Sequence, residues 1–249
     1  MIKKRSKVIR LNALAEVLGT CIFVFLYFLF LQRNSQQITA HGISIHVAAS
    51  IGLSYFVGVY LPFYTYRIHI FPFVSFAEAA HRKKYNRLIQ KLLSQLAGSF
   101  LGLTVFLTFF YEEADFSLLG VPPADESELT LGFFHQVALV AVVGLFYHYM
   151  RFYSKAHHAY GHFLMAVILT IMLYLGSSWW ALSAINSFGL LILSFVSTVS
   201  IFESGVLGSF LLHLIAPLLG VALARWLIIL IGGKASPSKK HKNKTHAES

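Results

Sequence analysis

At 249 residues, 57% of them hydrophobic and only 12% charged, the chain is too apolar for a water-soluble domain, which runs nearer half apolar and a quarter charged. A mean hydropathy of +0.67 points instead to an integral membrane protein, with length for about six spans in one bundle. The net charge of +10 lies mostly between and beyond the apolar runs, where topology bias accounts for it without any nucleic acid partner.

In chain order, residues 1–10 form a basic start (Lys3, Lys4, Arg5, Lys7), expected on the cytosolic side. The first span covers about residues 11–31 and holds Glu16 and the lone cysteine, Cys21. It is too long for a signal-peptide core and lacks a small-residue cleavage site, so it reads as a retained helix. One cysteine excludes a disulfide framework, and Cys21 reads as a small buried hydrophobe. After a polar link, a second span of about residues 45–66 leads through Arg67 and His69 into an apolar piece too short to cross, about residues 70–80. With Pro72 near its start, this piece reads as a re-entrant half-helix, tolerated at membrane depth only where it is buried in protein or lines a cavity.

Further spans follow at about residues 89–110, 131–150 and 160–175. Gly176-Ser177-Ser178-Trp179-Trp180 breaks the pattern, and a second short apolar piece at about residues 182–194 precedes a last span of about 206–231. The tail, 232–249, is basic, polar and expected to be disordered. Lys and Arg alternate in a way that puts both termini in the cytoplasm. The expected fold is therefore an all-α membrane protein: six transmembrane helices and two re-entrant half-helices in an inverted repeat of three plus three. Such a repeat brings two half-helix N-termini, each partly positive, to the centre of a pathway.

Ala15-Glu16-Val17-Leu18-Gly19-Thr20, His69-Ile70-Phe71-Pro72-Phe73-Val74-Ser75, Gln95-Leu96-Ala97-Gly98, Ser183-Ala184-Ile185-Asn186-Ser187-Phe188-Gly189 and His213-Leu214-Ile215-Ala216-Pro217-Leu218-Leu219-Gly220 follow one another at a characteristic spacing. In order and spacing they resemble the motifs of the aquaporin, or major intrinsic protein, family. The resemblance covers about residues 11–231 and implies a passive channel for water or small neutral, glycerol-like solutes, a homotetramer in the bilayer with one pore per subunit, no cofactor and no catalysis. It places a first pore box at His69, Phe71, Pro72 and Phe73, and a second at Ser183, Ala184 and Ile185. It places the selectivity filter at Ile51, Ile171, Trp180 and Asn186, and structural roles at Glu16, Gln95 and Pro217.

The departures from the family pattern are chemical. Phe71 and Ser183 stand where the two boxes carry asparagines that donate to the permeating solute, and Asn186 stands where the filter carries arginine. The centre is thus more apolar and less cationic, which favours less polar neutral solutes if it is open. If Phe71, Phe73, Trp179 or Trp180 fill the lumen, an apolar constriction closes it by dewetting. A non-conducting structural or partner-binding member is the alternative function. An intramembrane protease of rhomboid type fits worse: Ser209 lacks the flanking glycine turn and shares one helix with His213.

Single residues carry competing readings. Glu16, costly in a span unless paired, either braces the first half-helix loop or touches solute, with bracing favoured. His69 orients that loop, lines the vestibule or simply packs. Asn186 is a filter residue or a buried, satisfied amide, and Trp179 and Trp180 also suit an interfacial belt. Gly98 with Gly102, and Ala216 with Gly220, suit close helix packing. His157, His158 and His162 cluster without acids or cysteines and fall short of a metal site. Small size and short loops point to a bacterial inner membrane.

Overall fold

In the computed structural model, residues 2–34, 38–39, 42–62, 68–82, 85–112, 126–152, 158–176, 186–196 and 214–231 are described. The helices are α1 (Ile2–Arg33), α2 (Ile45–Tyr60), α3 (Pro72–Arg82), α4 (Leu88–Phe110), α5 (Glu126–Phe152), α6 (His158–Gly176), α7 (Ser187–Val196) and α8 (Ala216–Leu230). A two-residue antiparallel pair, β1 (Ile38–Thr39) with β2 (Gly42–Ile43), precedes α2 and was not legible from hydropathy. Within α1, α4 and α5, Leu11–Arg33, Leu88–Phe110 and Gly132–Met150 are long and apolar enough to cross a bilayer, while Ile45–Tyr60, Tyr160–Leu175 and Ala216–Leu230 are shorter apolar helices.

Local chemistry fixes the helix starts. Ser44 caps α2, its Oγ accepting from Val47 N at 3.3 Å. Pro72 opens α3, where a missing N–H costs nothing. Pro217 serves α8 in the same way, within its first two positions. Two hydroxyls inside apolar helices are satisfied by their own backbone: Ser54 Oγ donates to Ser50 O at 2.8 Å and Thr170 Oγ1 to Ala166 O at 3.0 Å.

The packing is two-fold in its logic. α1 lies along α4, and α5 lies along α8; α1 also meets α2 as α5 meets α6. The half-helix α3 packs on α8, and its counterpart α7 packs on α4. α2 and α6 cross each other at the seam. Exchanging the first four helices for the last four therefore maps these contacts onto themselves, the arrangement expected of an inverted repeat.

Glycines set the tightest crossings. A Cβ on Gly98 would meet Val17 O at 2.5 Å and Thr20 Cβ at 2.8 Å; one on Gly220 would meet Val137 O at 2.8 Å and Val140 Cβ at 2.7 Å. The two glycines thus occupy equivalent places against α1 and α5. The same interval that carries Val17 to Val137 carries Glu16 to Gln136, and both of those are buried.

Candidate functional site

The site grows from the turn into α3. Residues 68–71 are non-helical and buried, and Phe71 O accepts from Val74 N at 3.1 Å and Ser75 N at 3.3 Å, which makes Phe71 the residue that caps α3. Its side chain has no acceptor to offer the orphan amides and packs instead. The Phe71 ring is 1% exposed and lies between Tyr55 of α2, centroids 5.0 Å apart and stacked, and Phe73, 5.2 Å apart and stacked. Phe23 of α1 meets it edge-on at 5.4 Å. The stack continues into polar chemistry, since Tyr55 Oη is 3.3 Å from His162 Nδ1 on α6. The Phe71 ring thus stacks in an aromatic column at the position where the family resemblance expects the amide donor of the first box.

Behind the column lies a buried polar cluster. Gln95 Nε2 donates to His69 O at 2.6 Å and to Ser75 Oγ at 2.7 Å, holding the turn before α3 and its first turn to α4. His69 Nε2 is 2.7 Å from Glu78 Oε2, and Lys91 Nζ is 3.0 Å from the same oxygen. Lys91 also reaches Glu16 Oε1 at 3.4 Å. From α5, Tyr147 Oη lies 3.4 Å from His69 Nδ1. At the other end of α3, the Arg225 guanidinium from α8 donates to Ala80 O at 2.5 Å, a cation at the negative end of a helix. Charges withdrawn from water persist where they are paired and hydrogen-bonded, and this cluster supplies pairs on α1, α3 and α4.

The expected site residues separate into groups. Glu16, His69, Gln95, Phe71 and Phe73 converge on the α3 turn, with Pro72 between the last two. Ile51 is fully buried on α2, whereas Ile171 on α6 is 46% exposed, unlike its buried neighbours Leu169 and Leu173. Asn186, 3% exposed, sits in the turn before α7 and folds its carboxamide over Gly189, where a Cβ would collide with Oδ1, Nδ2 and Cγ. Asn186 O accepts from Leu190 N at 3.0 Å, and no partner for its Nδ2 is found among the described residues. Pro217 is buried at the start of α8. Trp180, Ser183, Ala184 and Ile185 lie outside the described residues, as do Trp179, His157, Ser209 and His213.

Glu78, Lys91, Tyr147 and Tyr55 belong to the site and were not singled out from sequence. A signal existed for two of them: Glu78 and Lys91 are charged residues inside otherwise apolar stretches, each of which needs a partner at membrane depth. Among the described residues, no group of three or more His, Cys, Asp or Glu could hold a metal ion.

No family model and no curated protein matches the sequence. Among solved structures, the chain is similar to the X-ray structure of the aquaglyceroporin from Plasmodium falciparum, with a TM-score of 0.71 and 15% identity, over 90% of this chain and 97% of that one. At that identity the likeness is one of fold, and together with the apolar helices it establishes an all-α, aquaporin-like integral membrane protein.

Proposed function

We propose that the chain is a passive, aquaporin-like conduit for water or small neutral solutes, whose midplane is governed by Phe71 rather than by an asparagine. The observation that carries the reading is the fold likeness to an aquaglyceroporin across nearly the whole of both chains. The retained bracing of the first half-helix by Glu16, Gln95 and His69 supports it. In this reading, Phe71, Pro72 and Phe73, with Ser183, Ala184 and Ile185, line the two boxes, and Ile51, Ile171, Trp180 and Asn186 form the filter. Pro217 is structural, the protein is not an enzyme, and the assembly is a homotetramer in the bilayer. Residues 11–231 form the channel domain, with residues 1–10 and 232–249 and both termini in the cytoplasm. A bacterial inner membrane is the proposed location.

The Phe71 stack favours a second reading, a non-conducting member with a structural or partner-binding role. Three packed rings leave an apolar constriction with no donor for a solute, and such a constriction closes by dewetting. Stopped-flow light scattering on proteoliposomes separates the two. Water or glycerol flux above that of empty vesicles in the native protein, reduced in Asn186→Arg, supports the conduit. No flux in the native protein but flux in Phe71→Ala supports a fold sealed by the stack. No flux in either, with both folded, sinks the channel reading.

A further inference from the structure

The last turns of α3, α5 and α8 close around a feature separate from the cluster behind Phe71. Gly220 of α8 packs on Val137 and Val140 of α5, Gly144 faces Ala224, and His148 shares a cavity of about 30 Å³ with Arg225. Contacts that advance together along both helices mean that α5 and α8 run in parallel and end at the same face. Ala77 and Ala80 bring the C-terminal part of α3 to the same cavity. Arg225 stands five residues before Leu230, the last of α8, and His148 four before Phe152, the last of α5. At the helical rise both lie within about 8 Å of their helix ends. That is the depth at which acyl chains give way to headgroups, and the exposed Trp226 beside Arg225 suits it.

Arg225 supplies the chemistry. It is half-buried, its guanidinium donates to Ala80 O, and no carboxylate pairs with it among the described residues. A cation in a membrane-spanning helix is costly without a counter-ion. The α3 C-terminus, worth about half a negative charge, offsets only part of it. The remaining planar donors suit two oxygens of a phosphate. Apart from Arg225 and His148 the walls are apolar, and Ile229, 51% exposed, opens the cavity toward lipid. The volume has room for one or two water-sized groups, so it admits a phosphate oxygen while the rest of a headgroup stays at the mouth. Acyl chains attached to that headgroup would find Trp226 and Ile229 exposed beside it.

We propose that the cavity at Arg225 and His148 is a headgroup site for one anionic phospholipid, whose phosphate pairs with Arg225 while its acyl chains lie on the exposed apolar face of α8. A zwitterionic lipid carries its own ammonium beside the phosphate and gains less from the guanidinium. The chain leaves α3 through Arg82-Lys83-Lys84, which adds basic charge at the same end of that helix. In the proposed orientation this is the cytoplasmic leaflet, whose surface is negative. The site itself depends neither on that orientation nor on whether the chain conducts. Because Arg225 also holds Ala80 O, a bound lipid braces the end of α3 opposite to the one that Phe71 caps.

Native mass spectrometry of the full chain in detergent, titrated with phosphatidylglycerol or with phosphatidylcholine of the same acyl chains, tests the site without any use of flux. The native protein should bind its first phosphatidylglycerol more tightly than its first phosphatidylcholine. Arg225→Gln keeps a donor for Ala80 O and drops the charge. It should weaken the first phosphatidylglycerol about fivefold, the effect of one basic residue at a headgroup surface, and leave phosphatidylcholine unchanged. The basic start and tail are the same in both chains, so their attraction for anionic lipid cancels. Ala77→Leu fills the cavity and leaves the charge in place; it should cause a similar loss, and it decides the matter if Arg225→Gln does not fold. Equal affinity of the native protein for the two lipids overturns the proposal, as does native-like phosphatidylglycerol binding in either folded variant. Displacement of the bound lipid by millimolar inorganic phosphate also overturns it, since the site would then be one for free anions.

Discussion

The two half-helix starts occupy equivalent places in the fold and are held by different chemistry. The turn into α3 is clamped from α1, α4 and α5 by Glu16, Lys91, Gln95 and Tyr147, and its capping residue is an aromatic ring packed among three others. The turn into α7 carries Asn186, buried and folded over its own first turn against Gly189. On α5, the counterpart of Glu16 is the neutral Gln136. An inverted repeat thus preserves backbone packing, which depends on small residues at crossings, while among the described residues the buried ion pairs and the Phe71 ring stack gather at the first half-helix.

The largest effect should come from the crossings themselves. Gly98→Ala drives a Cβ to 2.5 Å from a backbone oxygen of α1, and Gly220→Ala does the same to α5 at 2.8 Å. Neither contact can yield by a side-chain rotation, so α1 and α4, or α5 and α8, must separate. Each substitution should cost about 3 kcal/mol, the upper end for overpacking, and lower the thermal midpoint and the monodisperse fraction in detergent by similar amounts. Tolerance of Gly220→Ala alongside collapse of Gly98→Ala would mean that the two halves are not held alike.

Next comes the asymmetric charge. Lys91→Met removes the cation that reaches both Glu16 and Glu78. A fully buried pair broken in this way costs about 3–5 kcal/mol; with Lys91 24% exposed, about 2.5 kcal/mol is expected. Adding Glu78→Gln to Lys91→Met should recover much of the loss in a thermal unfolding assay. Gln136→Leu at the equivalent place in α5 should cost less than Lys91→Met. An equal or greater loss there would erase the contrast between the two halves.

Below that stands the neutral clamp. Gln95→Leu removes the donor to His69 O and Ser75 Oγ and should cost about 2 kcal/mol for the two bonds. Asn186→Ala, which removes an amide nitrogen without a partner among the described residues, should cost about 1 kcal/mol or less. The reverse order, read by thermal midpoints under the same conditions, would move the tighter hold to the α7 turn.

Much of the scaffold could be read from the sequence, because hydropathy runs and Pro72 are local signals. Glu16 and Gln95 were legible through their motif spacing, and both lie against the α3 turn. The rest of the site was hidden for a physical reason: Glu78, Lys91 and Tyr147 meet only after the chain has reversed twice, and no periodicity links an acid in a half-helix to a lysine in the next span. Tyr55 was an ordinary apolar residue of its segment, and its stacking on Phe71, which motif spacing had singled out, is a property of the α2–α3 approach. The β1–β2 pair escaped because strands of two residues leave no pattern.

The smallest effect tests whether glycine matters in these helices only where backbones touch. On α6, a Cβ at Gly161 would have Met150 Cε, the end of a flexible side chain, as its nearest neighbour at 3.8 Å, an ordinary contact. Gly144 on α5 is intermediate, with Ala224 Cβ at 3.2 Å. Alanine lowers the conformational cost of a helix interior by up to about 1 kcal/mol relative to glycine, and at Gly161 nothing offsets that gain. Gly161→Ala should therefore raise the thermal midpoint slightly, and Gly144→Ala should fall between neutral and mildly destabilising as Ala224 gives way. A loss at Gly161 comparable to that at Gly98 would show that α6 meets a close neighbour in the assembled protein, and the two-fold account of the crossings would then have to include that contact.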